Sequence, residues 1–150
     1  MATVTGTERT AEVSWSGDLL SGSGTIESVG SGAFGPLAVS WKARTEEPDG
    51  ETSPEELIAA AHASCFSMAL SGALAKAGTA PEHLSTTAHV TFVPGTGITR
   101  SALDVEGVVP GIDERGFREA AEQAKENCPV SQAVTGNVEL SVRARLRNGG

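Results

Sequence analysis

Residues 53–78 read as one helix with almost no polar break. Ser53 suits an N-cap, Pro54 the first helical position and Glu56 the far side of a capping box. Gly78 follows Lys76-Ala77 as a residue just past a helix C-terminus should. Between them stand Ala, Leu, Ile, Met, Phe and small hydroxyls, and with His62 neutral the first charge past the opening turn is Lys76. A helix apolar on every face belongs in the middle of a core. It falls short of a membrane span once its small polar residues are discounted.

Elsewhere the period is two. Residues 11–15 alternate with Ala11, Val13 and Trp15 on one side, and 22–29 form a second strand between glycines. Residues 36–44 read as a third, Leu37, Val39, Trp41 and Ala43 facing one way and Arg44 the other. Residues 88–93 and 99–109 read as a long hairpin over the Pro94-Gly95-Thr96-Gly97 turn. Asp113 can cap a helix over 114–127, whose apolar positions Phe117, Ala120, Ala121 and Ala124 recur at helical spacing. Residues 129–134 offer a short second helical turn. Val138, Leu140, Val142 and Ala144 alternate in a last strand, with Arg143, Arg145 and Arg147 as a solvated face. Residues 1–10 and 147–150 read as frayed ends.

The order βββ-α-ββ-α-β predicts an α+β fold, one domain over 1–150, with antiparallel sheets around a buried central helix. Six short strands barely cover such a helix in one chain. An intertwined homodimer burying two of them together would, and it is the expected state.

Charge narrows the partners. Eleven basic against nineteen acidic side chains leave a net charge of −8. No basic cluster exists to neutralise phosphates, so neither nucleic acid nor an anionic membrane surface is an expected partner. The first residues carry no charged segment followed by an apolar run, so a cytoplasmic location is expected, where structural disulfides are rare. The two cysteines, Cys65 and Cys128, could form one internal bridge. Cys65 alone would read as a small buried hydrophobe. There is no Cys-x-x-Cys, and His62, His83 and His89 make no ligand spacing with either cysteine; no metal and no bound cofactor are expected.

Three segments are specific. They are Pro54-Glu55-Glu56-Leu57-Ile58-Ala59-Ala60-Ala61-His62-Ala63-Ser64-Cys65-Phe66-Ser67-Met68-Ala69-Leu70, Val109-Pro110-Gly111-Ile112-Asp113, and Ala124-Lys125-Glu126-Asn127-Cys128-Pro129-Val130-Ser131-Gln132. With them the chain, from about residue 11 to 146, resembles the OsmC/Ohr family of thiol peroxidases, in its OsmC branch. The resemblance implies an OsmC-like fold as an intertwined homodimer with active sites at the subunit interface. It implies reduction of organic hydroperoxides, and less well of hydrogen peroxide, with re-reduction by an external dithiol such as dihydrolipoamide or a lipoyl protein. It makes Cys65 the peroxidatic thiol, Cys128 the resolving one, Arg44 the family's arginine and Glu55 the glutamate that pairs with it. The loop over 45–53 does not align with the family's, so Arg44 is matched as the sole arginine near that point.

The chemistry supports those types. Cleaving a peroxide with sulfur needs the thiolate, whereas burial in an apolar helix raises a thiol pKa. A cation must compensate, and a guanidinium stays charged and forks to two acceptors. Taken alone, Arg44 would be a solvated charge on an edge strand and Glu55 a first-turn carboxylate. Ten residues separate Glu55 from Cys65, about 15 Å along one helix, so Glu55 and Arg44 are expected to serve the Cys65 of a partner subunit. His62, one turn before Cys65, reads as a buried, hydrogen-bonded histidine rather than a base. A non-catalytic module binding a small hydrophobic ligand and a thiol redox sensor are the alternative functions.

Overall fold

The computed structural model describes residues 6–148. The chain divides into two compact units, Met1–Pro54 and Glu55–Gly150.

The first unit is a three-stranded antiparallel sheet of β1 (Ala11–Ser16), β2 (Ser23–Val29) and β3 (Leu37–Val39), in that order. The third strand departs from expectation. It ends at Val39, and the chain enters a short helix, α1 (Trp41–Thr45), so Arg44 is helical and not on a strand. Ser40 makes the change: its Oγ accepts from the Ala43 amide at 3.1 Å and donates to Glu51 Oε1 at 2.6 Å. That is an N-cap, and it overrides an alternation running on through Trp41 and Ala43.

The second unit opens with α2 (Pro54–Lys76), the helix the sequence predicts. Gly78, at φ 91°, ends it. The Thr79 amide donates to the Leu74 carbonyl at 2.9 Å and the Gly78 amide to Ala75 at 3.0 Å, a Schellman closure that needs the left-handed residue. By length and apolar composition alone α2 could cross a membrane, contrary to the expectation that it falls short. Its use here is that of a core helix. Its buried residues are Glu55, His62, Phe66, Leu70 and Leu74, a stripe mostly at every fourth residue and not the whole circumference. Met68, facing away, is 73% exposed.

The stripe packs on a mixed sheet of β4 (His83–Val93), β5 (Gly97–Val108) and β6 (Glu139–Leu146) and on α3 (Glu114–Asn127). The hairpin is longer than expected, beginning at His83 rather than at residue 88. Inward positions of β5 are Ser101, Leu103, Val105 and Gly107. Leu103 and Val105 among them, with Phe66, Leu70, Leu74, Val109, Phe117, Ala121, Ala124 and Cys128, make one core. Here the all-antiparallel expectation fails, because β6 runs parallel to β5. Between them the chain crosses over through α3 and α4 (Pro129–Val134), and a helical crossover returns the next strand in the same direction. The arginines of β6 are ion-paired rather than merely solvated: Arg143 bonds Asp104 at 2.9 Å and Arg145 bonds Glu106 at 2.6 Å, each opposite its partner in the ladder. Asp113 caps α3 as expected, accepting from the Gly116 amide at 2.8 Å.

Candidate active site

The two cysteines arrive from different elements of the second unit. Cys65 sits mid-way along α2, half-buried beside the Phe66 stripe. Cys128 is fully buried. It closes α3, its amide donating to the Ala124 carbonyl at 2.9 Å, and it also opens α4. Its extended backbone, φ −62° and ψ 128°, is what a residue preceding proline must adopt. Pro129 thus fixes the corner at which the second thiol is presented. Both cysteines are free thiols, and they lie close enough for each to shift the other's pKa.

The two sulfurs differ electrostatically. Burial pushes the Cys65 thiol up; the Val130 amide works against this, and the neighbouring Cys128 adds to it. Burial raises Cys128 as well, yet it is outweighed, so Cys128 lies below the usual thiol range. The opposing groups are the Ser131 amide, the Cys65 thiol, the Ser131 hydroxyl and the Val130 amide, each favouring the anion. In the reduced state the Cys128 side chain makes no standard helix-cap hydrogen bond. The pair is therefore unequal: Cys65 lies above the usual thiol range and Cys128 below it.

A buried polar chain reaches the same place. His62 is 1% exposed. Its Nδ1 lies 2.6 Å from Ser101 Oγ on β5 and its Nε2 2.8 Å from Ser131 Oγ on α4. Burial holds its imidazole below the usual histidine range. The reading of His62 as a satisfied core histidine holds. Sequence reasoning missed both serines. Ser101 had a signal, since it occupies an inward position of a strand otherwise apolar on that face. Ser131 had none beyond its nearness to Cys128.

The structure thus brings Cys65 and Cys128 together. Arg44 belongs to the first unit, on α1, with its guanidinium 5.8 Å from the centre of the Trp41 ring. Glu55 stands buried in the first turn of α2, on the same helix as Cys65 and ten residues earlier. Phe66 lies wholly in the core, whereas Met68, one turn on from Cys65, reaches the surface. Among the described residues no group of three or more His, Cys, Asp or Glu side chains is arranged to hold a metal ion.

Comparison with known proteins places the fold and the family. A family model described as OsmC-like protein matches residues 47–143, a span that holds both cysteines and His62. The chain is 42% identical over 134 residues to Peroxiredoxin OsmC of Escherichia coli (strain K12), covering 87% of this chain and 92% of that one. It is 29% identical over 97 residues to the Organic hydroperoxide resistance protein of Xanthomonas axonopodis pv. citri (strain 306), covering 61% and 65%. Among solved structures, an organic hydroperoxide resistance protein OsmC from Legionella pneumophila superposes with a TM-score of 0.66 at 24% identity, over 91% of this chain and 96% of that one, a likeness of fold.

Proposed function

The chain belongs to the OsmC-like protein family, and from that premise we propose that it is a thiol peroxidase of stress defence that reduces organic hydroperoxides through Cys65 and Cys128. The observation that carries the reading is the pair itself: two free thiols near enough to shift each other's pKa, in a chain with no other cysteine. Relatives named peroxiredoxin and organic hydroperoxide resistance protein support the peroxidase class.

The reaction runs in four balanced steps. Cys65 passes its proton to the neighbouring Cys128 thiolate. The Cys65 thiolate then attacks one peroxide oxygen, so that an S–O bond forms, the O–O bond breaks and the departing alkoxide takes the proton from Cys128 to leave as alcohol, which restores the Cys128 thiolate. The Cys128 thiolate attacks the Cys65 sulfenic sulfur, an S–S bond forms, the S–O bond breaks and hydroxide leaves as water with a proton from solvent. An external dithiol of the dihydrolipoamide kind, free or on a lipoyl protein, then exchanges into the disulfide and departs oxidised.

The upward pressure on Cys65 calls for a cation, and Arg44 with Glu55 fills that role from the partner subunit of a homodimer. Two observations support the dimer. One is the ten-residue separation of Glu55 from Cys65 on one helix. The other is the apolar surface left exposed, with Met68 on α2 and Val13 and Trp15 on β1. Alkyl hydroperoxides are preferred over hydrogen peroxide, since each methylene buried on approach past Met68 is worth about 0.8 kcal/mol.

The test is one equivalent of organic hydroperoxide on the reduced protein, followed by mass spectrometry. A loss of two hydrogens and a peptide joining the Cys65 and Cys128 segments are expected. Cys65→Ser should abolish turnover, and Cys128→Ser should allow a single oxidation and then proceed to the sulfinic acid. A protein that consumes no hydroperoxide with any dithiol would be a binding module or sensor instead.

A further inference from the structure

A helix of five residues does not stand by itself, because it makes too few hydrogen bonds to offset the cost of nucleation. Yet α1 is such a helix, and it carries Arg44. We propose that Glu51 and Trp41 are positioning residues for Arg44: Glu51 fastens the cap of α1 to the returning chain, and the Trp41 ring holds the guanidinium on one face of the helix. For its kinetic consequence the proposal rests on the reading of Arg44 as the cation that serves the Cys65 thiolate. For its geometry it rests on the first unit alone.

Ser40 is the pivot. Its Oγ accepts from the Ala43 amide at 3.1 Å, so its single hydroxyl hydrogen is left to donate, and it goes to Glu51 Oε1 at 2.6 Å. Glu51 is delivered there by a tight reversal. Asp49 and Gly50 both have positive φ, 51° and 84°, and the Glu51 amide donates to the Pro48 carbonyl at 3.0 Å. One residue on, the Thr52 amide donates to the Ala38 carbonyl at 3.0 Å. Residues 38–52 are therefore a loop closed at its base by backbone and again by the Ser40–Glu51 bond. The helix α1 starts directly inside the second closure.

The helix carries two cations, and they are treated differently. Lys42 is exposed, whereas Arg44 is half-buried. Trp41 stands three residues before Arg44, on the same face, and the guanidinium lies 5.8 Å from the centre of its ring. The Thr45 hydroxyl donates to the Trp41 carbonyl at 2.8 Å, which ties down the residue that bears the ring. A ring face attracts a guanidinium without occupying its N–H donors, as the partner of an anion-binding arginine should. Loosening α1 keeps the charge of Arg44 but spreads it over many positions. The loss then falls on the peroxide step, where orientation counts, and not on the joining of Cys65 to Cys128.

Two measurements keep the geometry and the reading apart. The first is free of activity: the proton chemical shifts of the Arg44 side chain, assigned by the signals missing from Arg44→Met. In the wild type the Trp41 ring current should move them to high field of the other arginines. Glu51→Gln should keep that shift, since its amide oxygen still accepts from Ser40. Glu51→Ala should lose at least half of it and Trp41→Leu all of it. Unshifted Arg44 signals in the wild type, or a full shift in Glu51→Ala, would overturn the proposal. The second is the single-turnover rate of Cys65 oxidation by an alkyl hydroperoxide. Glu51→Ala should slow it about tenfold, the scale of one hydrogen bond to a charged group, and Trp41→Leu about threefold, with Glu51→Gln within about twofold of wild type. In an Arg44→Met background neither Glu51→Ala nor Trp41→Leu should cost anything further, because residues that act through Arg44 then have nothing to position. Equal losses in both backgrounds would refute the proposal. An Arg44→Met protein oxidised at the wild-type rate would refute the reading of Arg44 instead, with the ring-current shifts still deciding whether Glu51 and Trp41 hold it.

Discussion

Met68→Lys separates a dimer-forming helix from one that merely tolerates exposed apolar residues. In the single chain Met68 is 73% exposed, so a lysine there should change monomer stability by no more than about 0.5 kcal/mol either way. In a dimer that covers this face the position is different. Burying a whole methionine side chain is worth about 1.5–3 kcal/mol. The three quarters still exposed therefore represent roughly 1–2 kcal/mol per chain, or roughly 2–4 kcal/mol for a symmetric pair. By the relation of about 1.4 kcal/mol per tenfold, that weakens dimerisation roughly 30- to 700-fold, before the cost of desolvating two ammonium groups. Sedimentation equilibrium across a concentration series measures it directly, with far-ultraviolet circular dichroism to show that the variant is folded. Met68→Leu should dimerise like wild type. A wild-type protein that sediments as a monomer at high micromolar concentration, or a Met68→Lys protein that dimerises normally, would refute the reasoning.

Three further outcomes are expected. Gly107→Ala should destabilise the second unit by about 1–3 kcal/mol through overpacking, because an added Cβ would lie 2.6 Å from Phe117 Cζ and 3.1 Å from Leu84 Cδ2; an unchanged urea midpoint would show that Phe117 can give way. Because burial depresses the His62 pKa in the folded state, the unfolded chain takes up this proton first. Its stabilisation is therefore present above about pH 6.5 and lost as the pH falls below that, at up to about 1.4 kcal/mol per pH unit. Urea midpoints of wild type and His62→Gln should accordingly converge on acidification, and parallel curves would contradict this. Co-refolding Cys65→Ser with Arg44→Met should restore activity in the mixed dimer to about half of wild type, since both lesions then fall in one shared site. No recovery would place Arg44 and Cys65 of the same chain in one site.

What the sequence by itself determined was local. The start of α2 after Ser53 and its stop at Gly78, the capping of α3 by Asp113, and the corner at Cys128-Pro129 all follow from interactions within a few residues, and they stand as read. The same is true of the period-two strands and of the segments that carry the family likeness. What failed or stayed open depended on distant partners. A helix uniformly apolar around its axis has no preferred face, so only packing against β5 and α3 could choose His62, Phe66, Leu70 and Leu74 for burial and leave Met68 out. Alternation cannot tell a parallel neighbour from an antiparallel one, and the crossover through α3 and α4 decided the direction of β6. The alternation through Trp41 and Ala43 was real, but one hydroxyl, that of Ser40, turned the backbone into α1. The polar chain on His62 joins residues 39 and 69 positions apart. Each of those serines is unremarkable in its own segment. Only when β5 and α4 close over α2 do they become the two partners a buried imidazole requires.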